Sequence, residues 1–409
     1  MEKILMHYAF IIDDYLPDST RVGSKMLHEL ALEFLNRGHQ ITVITPRTKT
    51  QIGDPALVEE SIDGVKIWRF RNGPVKGVGN IKRAINETLM SFNAWRAISS
   101  KIDHDKFDGV VYYSPSIFFG TLAKKIRRKC NCKSYLILRD LFPQWAIDAG
   151  VMKKNSISTK YFKYFESINY SSADSIGLMS IKNLQLFQSI YPKLCNTHVL
   201  FNWASAQPLQ TLLSNSSIRE RLDLDDKIIF FYGGNIGHAQ DMANLIRLAN
   251  GIKEHKKAHF LFIGQGDEVE LIKEQVKDYK LDNVTILPSV SQLEFRKILC
   301  EVDVGLFSLS KNHTAHNFPG KILGYMVESL PILGSVNPGN DLQAIVNEAG
   351  AGHVFVNGED KKLLLAANQL LDEPSMRFKQ GNASFNLLHK YFSVTSASDL
   401  IINKLNNKN

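Results

Sequence analysis

The chain has only four cysteines among its 409 residues, Cys130, Cys132, Cys195 and Cys300. That excludes a disulfide framework or a multi-cysteine zinc module as the source of its stability. A reducing compartment, the cytoplasm, is the expected setting. Long hydrophobic runs are missing too: residues 4–12 form one of the longest and contain His7, whereas a membrane span needs about 20 apolar residues. The first residues carry no signal-peptide cleavage pattern, so the chain is expected not to cross a bilayer by itself. No G-x-x-x-x-G-K-[ST] occurs, which removes support for a P-loop NTPase. A nicotinamide site has little support: residues 233–237 lack the G-x-G-x-x-G spacing, and Gly264-Gln265-Gly266 runs on to Val269 where a third glycine is required.

What is present is an ordinary globular composition, 44% hydrophobic and 22% charged, on a chain too long for one core, so two domains are expected. The charge is unevenly placed. Residues 1–200 hold 28 Lys and Arg against 18 Asp and Glu, and the rest hold 21 against 23. A basic half can face nucleic acid, anionic lipid or an anionic substrate. The basic residues follow no nucleic-acid motif or aromatic interleaving, so no nucleic-acid partner is expected.

Short apolar runs at 3–12, 39–45, 65–70, 107–112, 134–138, 175–179 and 197–201 alternate mostly with helical patterns. In residues 24–37, for example, Leu27, Leu30, Ala31, Phe34 and Leu35 share a face and Gly38 follows as a stop. Residues 202–226 are weakly patterned, and the series then resumes with strands at 228–232, 258–263, 284–287, 304–309 and 331–333. This rhythm predicts an α/β chain of two doubly wound domains with parallel sheets, and directs attention to the loops at the carboxyl ends of strands. Residues 394–405 read as a last helix.

Four segments carry candidate chemistry. The loop at 13–23 ends in Gly23-Ser24 and is either a phosphate or donor-sugar contact or a plain turn capped by Ser24. YGGNIG, residues 232–237, reads as a second Gly-rich turn before a helix. In residues 317–326, NFPGKILGYM, Lys321 falls in the first helical turn, where a cation is unfavourable unless an anion or water compensates it. Asp140 follows a strand in RDLFPQWAIDAG and is either a base or hydroxyl-binding carboxylate or a helix cap. His313 with His316, and Asp223 with Asp225, lack further ligands at metal spacing, so no metal is expected. Cys130 and Cys132 read as a helix end. Residues 79–102 place Ile85, Leu89, Phe92 and Trp95 on one face beside Lys82, Arg83 and Arg96. That helix either packs on the core or, with Lys160, Phe162, Lys163 and Phe165, touches a membrane surface.

Read in order, YLPDSTRVG, HELALEFLNRGHQITVIT, RDLFPQWAIDAG, LFNWA, YGGNIGHAQDM, FIGQGDE and FPGKILGYMVESLPIL resemble a family 4 glycosyltransferase of the GT-B fold. The resemblance is to the bacterial O-antigen and capsule group that includes the N-acetyl-L-fucosamine transferases. It implies two Rossmann-like domains facing a central cleft: 1–205 for the acceptor, 206–392 for the nucleotide sugar, and a helix at 393–409 crossing back onto the first. It also implies a UDP-sugar donor, a lipid-pyrophosphate-linked saccharide acceptor, peripheral attachment to the inner face of the bacterial membrane, and no cofactor or metal.

By the same resemblance, Gly23 lies over the donor phosphates, and Asn235 and Gly237 contact the diphosphate. Gly264 and Gly266 shape the nucleotide pocket, and Ser289 and Val290 lie near the uracil. Lys321 and the amides that follow it, Ile322 first, hold the leaving group. Asn235 and Gln240 stand near places where the family carries an Arg and a Lys, and His316 and Gly324 near its usual pair of glutamates. Asn235 and Gln240 remain donor-binding residues with Lys321 supplying more of the positive charge, while the ribose and donor-sugar contacts of the glutamate pair do not carry over. The competing readings are a UDP-N-acetylglucosamine 2-epimerase, which uses the same two-domain fold, and a non-catalytic assembly protein.

Overall fold

The computed structural model describes residues 5–19, 21–47, 53–148, 150–208, 217–312 and 318–406. His313, His316 and Asn317 lie outside the described residues. The chain divides into two compact units, one formed by Met1–Phe201 with Val394–Asn409 and the other by Asn202–Ser393. Among the described residues no helix is long and apolar enough to cross a membrane.

The first unit is built on strands β1 (His7–Ile11), β2 (Gln40–Pro46), β3 (Leu57–Ile62), β4 (Val65–Phe70), β5 (Gly109–Ser114), β6 (Lys133–Leu138), β7 (Ser175–Leu178) and β8 (Thr197–Val199). Between them run α1 (Val22–Asn36), α2 (Asn80–Ile98), α3 (Gly120–Cys130), α4 (Gln144–Asp148), α5 (Ile157–Ser171) and α6 (Ile181–Ile190). The sheet order is β3-β4-β2-β1-β5-β6-β7-β8. Every pair is parallel except the β3–β4 hairpin. The order reverses between β1 and β5, the switch point at which open α/β sheets bind ligands. All five residues of β1 and all six of β5 are buried, because helices cover both faces.

The helix Val394–Asn406 packs on α1 and β6 of this unit. Arg37 on α1 donates to Asp399 at 2.5 Å and to the Thr395 carbonyl at 3.1 Å. Cys130 ends α3, and Asn131 follows in the left-handed region at φ 52°, the helix-end geometry expected there.

The second unit carries β9 (Ile228–Asn235), β10 (Ala258–Gln265), β11 (Val284–Leu287), β12 (Val304–Ser308), β13 (Ile332–Val336) and β14 (Gly352–Val356). Its helices are α7 (Ile218–Leu222), α8 (Met242–Gly251), α9 (Val269–Asp278), α10 (Gln292–Leu299), α11 (Lys321–Val327), α12 (Asp341–Glu348), α13 (Asp360–Asp372) and α14 (Pro374–Leu387). All strands are parallel in the order β11-β10-β9-β12-β13-β14, with the switch point between β9 and β12. One core lies under α8 and α13, around Phe230, Phe260 and Phe262. The other lies under α10 and α11, around Phe231, Leu261 and Tyr325. The first domain is thus an eight-stranded sheet and the second a six-stranded sheet, each doubly wound, as the alternation of patterns predicts.

Several local expectations change. YGGNIG is not a turn before a helix: β9 continues through Gly233, Gly234 and Asn235 by pairing with β10 as far as Gln265, and α8 begins only at Met242. Ser24 is not a cap. It lies inside α1, whose N-cap is Arg21, and its hydroxyl donates to the Asp14 carbonyl at 2.8 Å. On α2 the buried residues are Met90, Ser91, Ala94 and Ile98, while Ile85, Leu89 and Phe92 are exposed. The stripe read as core-facing therefore looks largely to solvent.

Candidate functional site

Each unit gathers polar groups at the carboxyl ends of its central strands. In the first unit a cavity of about 170 Å³ is lined by residues following β1, β5 and β6, among them Asp13, Arg21, Gly23, Tyr113, Arg139 and Asp140. Gly23 packs against the Tyr113 ring, and an added Cβ would lie 2.8 Å from the Tyr113 hydroxyl, so a side chain there would displace that ring. Asp140 receives no hydrogen bond from the described residues, so the helix-cap reading finds no bond to support it. Loss of hydration raises the Asp140 pKa above the usual carboxylate value, opposed by the charge of Arg139. Asp13 is raised in the same way by burial, with the Arg21 guanidinium pulling it down; Arg21 Nη1 lies 3.2 Å from its Oδ2.

Arg139 itself is buried, and its pKa is lowered by burial. It donates to the carbonyls of Leu200 at 2.5 Å and Phe201 at 3.2 Å. The guanidinium thereby fastens the chain just past β8 to the cavity wall. The β1–α1 loop is held from below: the Tyr15 hydroxyl and His28 Nδ1 are 2.7 Å apart, His28 Nε2 and Asp63 are 3.0 Å apart, and Arg69 donates to the Leu16 carbonyl.

In the second unit the ends of β9 and β10 approach very closely. A Cβ at Gly264 would lie 1.9 Å from the Gly234 carbonyl oxygen, and one at Gly266 would lie 2.0 Å from that of Ile236. These two glycines therefore first of all permit the strand pairing. Asn235 Nδ2 donates to Gln240 Oε1 at 2.8 Å, and Gly237 lies beside Asn235 and Asp267.

Lys321, the first residue of α11, reaches the same place. Its Nζ stands 3.4 Å from the centroid of the Tyr232 ring, and a Cβ at Gly234 would lie 3.7 Å from it. No carboxylate of the described residues pairs with it, and burial lowers its pKa to about 7. An ammonium held against a helix start and a ring face, without a counter-charge, favours an anionic ligand. The Ile322 side chain is buried and its N–H already donates to the Pro319 carbonyl at 3.1 Å. That leaves the Lys321 side chain as the group facing the end of β9.

The structure thus brings Asn235, Gly237, Gln240, Gly264, Gly266 and Lys321 together, and places Gly23 with Asp140 in the other unit. Ser289 and Val290 lie one strand further, in the loop between β11 and α10, whose Ser291 caps α10 by accepting from the Glu294 N–H at 3.2 Å. Asp223 ends α7 in the left-handed region, a structural role.

Tyr325 had little in its sequence context to single it out beyond its place four after Lys321. Its buried hydroxyl accepts from the Gly233 N–H at 3.3 Å and donates to the Leu306 carbonyl at 2.9 Å, bridging β9 and β12 at the switch point. Tyr325→Phe is expected to cost about 1–2 kcal/mol, because the Leu306 carbonyl loses its donor. It is also expected to weaken anion binding at the β9 end. Urea unfolding and titration with UDP measure the two effects.

Residues 214–386 match the family model described as Glycosyl transferases group 1. The chain is similar to a probable glycosyltransferase, WbjE, of Pseudomonas aeruginosa, with 25% identity over 355 residues covering 85% of each chain. It is also similar to a putative colanic acid biosynthesis glycosyl transferase, WcaI, of Escherichia coli K12, with 21% identity covering 67% of this chain and 70% of that one. Among solved structures, HepE of Anabaena in complex with UDP superposes with a TM-score of 0.66 at 13% identity, covering 98% of this chain and 99% of that one. The fold is GT-B.

Proposed function

We propose that this chain, a glycosyltransferase by its group 1 domain and GT-B by fold, moves a sugar from a UDP-sugar to a saccharide carried on a lipid pyrophosphate. The donor sugar is an N-acetylated 6-deoxyhexose such as N-acetyl-L-fucosamine, and the product serves O-antigen or capsule synthesis. The observation that carries the reading is Lys321, whose unpaired ammonium beside the Gly233-Gly234-Asn235 strand end suits a diphosphate. As the glycosidic bond to the β-phosphate oxygen breaks, negative charge grows there, and a fixed cation stabilises the transition state more than the ground state. That role requires no metal. In the other unit Asp140 binds the acceptor hydroxyl.

The name of WcaI, a putative colanic acid biosynthesis glycosyl transferase, supports the polysaccharide setting, and the UDP complex of HepE supports the donor class. The surface of the first unit supports a lipid-linked acceptor at a membrane. Ile81, Ile85, Leu89 and Phe92 on α2, with Ile157 and Tyr164 on α5, are exposed, Ile81 at 80% and Phe92 at 56%. The two helices are joined by a hydrogen bond between the Thr88 and Tyr161 hydroxyls. Lys82, Arg83 and Lys160 are exposed on the same helices, a mixture that favours an anionic bilayer surface.

The test is transfer from a panel of UDP-N-acetylhexosamines, including UDP-N-acetyl-L-fucosamine, to a GlcNAc-pyrophosphate-lipid in anionic vesicles. Mass spectrometry reads the product. One donor giving a disaccharide-lipid is the expected result. Conversion of UDP-N-acetylglucosamine to its 2-epimer without lipid product would establish the epimerase, and neither UDP binding nor turnover would establish the non-catalytic protein.

A further inference from the structure

The cavity of the first unit holds a second carboxylate. The last residue of β1 is Ile11 and that of β6 is Leu138, so Asp13 and Asp140 each stand two positions past a strand end. β5 lies between those strands, and two strand spacings of about 4.8 Å separate β1 from β6 by roughly 10 Å. Tyr113, on β5, feels both carboxylates. Asp13 and Asp140 both line the same cavity of about 170 Å³, so a single sugar ring there meets both carboxylates.

The cavity's two cations are already engaged by protein groups. Arg139 is committed to the Leu200 and Phe201 carbonyls, and Arg21 lies against Asp13 and Asp14. A lining in which two carboxylates are balanced by two guanidiniums carries no net charge, which suits the hydroxyl groups of a sugar rather than a phosphate, because carboxylates accept the hydrogen bonds that sugar hydroxyls donate.

We propose that Asp13 is an acceptor-binding residue: with Asp140 it accepts hydrogen bonds from two hydroxyls of the acceptor sugar, one of them the hydroxyl that is not glycosylated. This rests on the transferase reading above and names the part of the substrate that the cavity takes.

The experiment compares the full-length protein with Asp13→Asn on a GlcNAc-pyrophosphate-lipid and on its single-deoxy analogues, with UDP affinity measured in parallel. Asp13→Asn is expected to lower kcat/KM for the acceptor about 10- to 100-fold, mainly through KM, with UDP affinity unchanged. One deoxy acceptor is expected to cost the unaltered protein a similar factor and to cost Asp13→Asn nothing further. An equal loss on every acceptor, or weakened UDP binding, would overturn the proposal and leave Asp13 an anchor for Arg21 in the β1–α1 loop. Should the variant melt below the assay temperature, the unaltered protein decides alone, since indifference to every non-reacting deoxygenation also overturns it. Absence of transfer from the unaltered protein to any acceptor overturns the transferase reading itself, which separates the two failures.

Discussion

Lys321→Met is expected to lower kcat by about 10²-fold or more and, in the absence of ligand, to raise stability at pH 6 by about 1 kcal/mol. Both effects come from one cause. Burial lowers the Lys321 pKa from 10.5 to about 7, so below pH 7 the folded chain carries a poorly hydrated ammonium that the unfolded chain hydrates freely. Between pH 7 and 10.5 the unfolded state binds one more proton than the folded state, and stability of the unaltered protein rises with pH across that window. The advantage of Lys321→Met is therefore full below pH 7 and shrinks toward pH 10.5. Thermal melts at pH 6, 8 and 9.5 measure it, and an advantage that fails to shrink would remove the charge from the explanation. Binding of UDP is expected to follow the opposite course. The diphosphate prefers the protonated lysine, so the apparent Kd of the unaltered protein rises above pH 7, while that of Lys321→Met stays flat and weaker.

The second large effect is expected at Gly264. Its pairing partner on β9 is Gly234, and an alanine methyl would lie 1.9 Å from the Gly234 carbonyl oxygen, well inside contact distance. The obstacle is backbone rather than a side chain that can turn away, so the strand ends must separate. Gly264→Ala is expected to destabilise the protein by about 3 kcal/mol and to abolish UDP binding, since Asn235 and the Lys321 contact depend on the same strand end. Gly320→Ala, where an added Cβ meets nothing within 4 Å, is expected to stay within about 0.5 kcal/mol. Denaturant midpoints with UDP titration compare the two variants.

The α/β rhythm was legible in the sequence because parallel strands covered on both faces are short apolar runs, and β5 or β12 reads that way without ambiguity. β3 was not, since LVEESI is an edge strand whose middle residues face water. β9 was misread at its end because Gly-Gly-Asn signals a turn locally, while the adjacent glycines of β10 let the ladder continue. On α2 apolar residues occupy two faces, and periodicity alone selects neither; the buried one runs through Met90, Ala94 and Ile98. Lys321 could be singled out because its charge opposes the helix start. Asp13 and Arg139 could not, as one was a loop acid among three and the other preceded a more conspicuous acid. Only the sheet order reveals that Asp13 and Asp140, at the same offset past β1 and β6, flank β5.

The helix Val394–Asn406 belongs to the first unit although the whole second unit precedes it in the chain. Synthesis runs from the N-terminus, so the first unit must wait until Asn202–Ser393 has been made before its last helix can cover α1 and β6, whereas Asn202–Ser393 emerges as one continuous stretch. The unit made first is thus completed last. A premature stop near residue 393 removes Asp399 from Arg37 and Asn406 from the Tyr8 hydroxyl, so its damage falls on the half of the molecule farthest away in sequence.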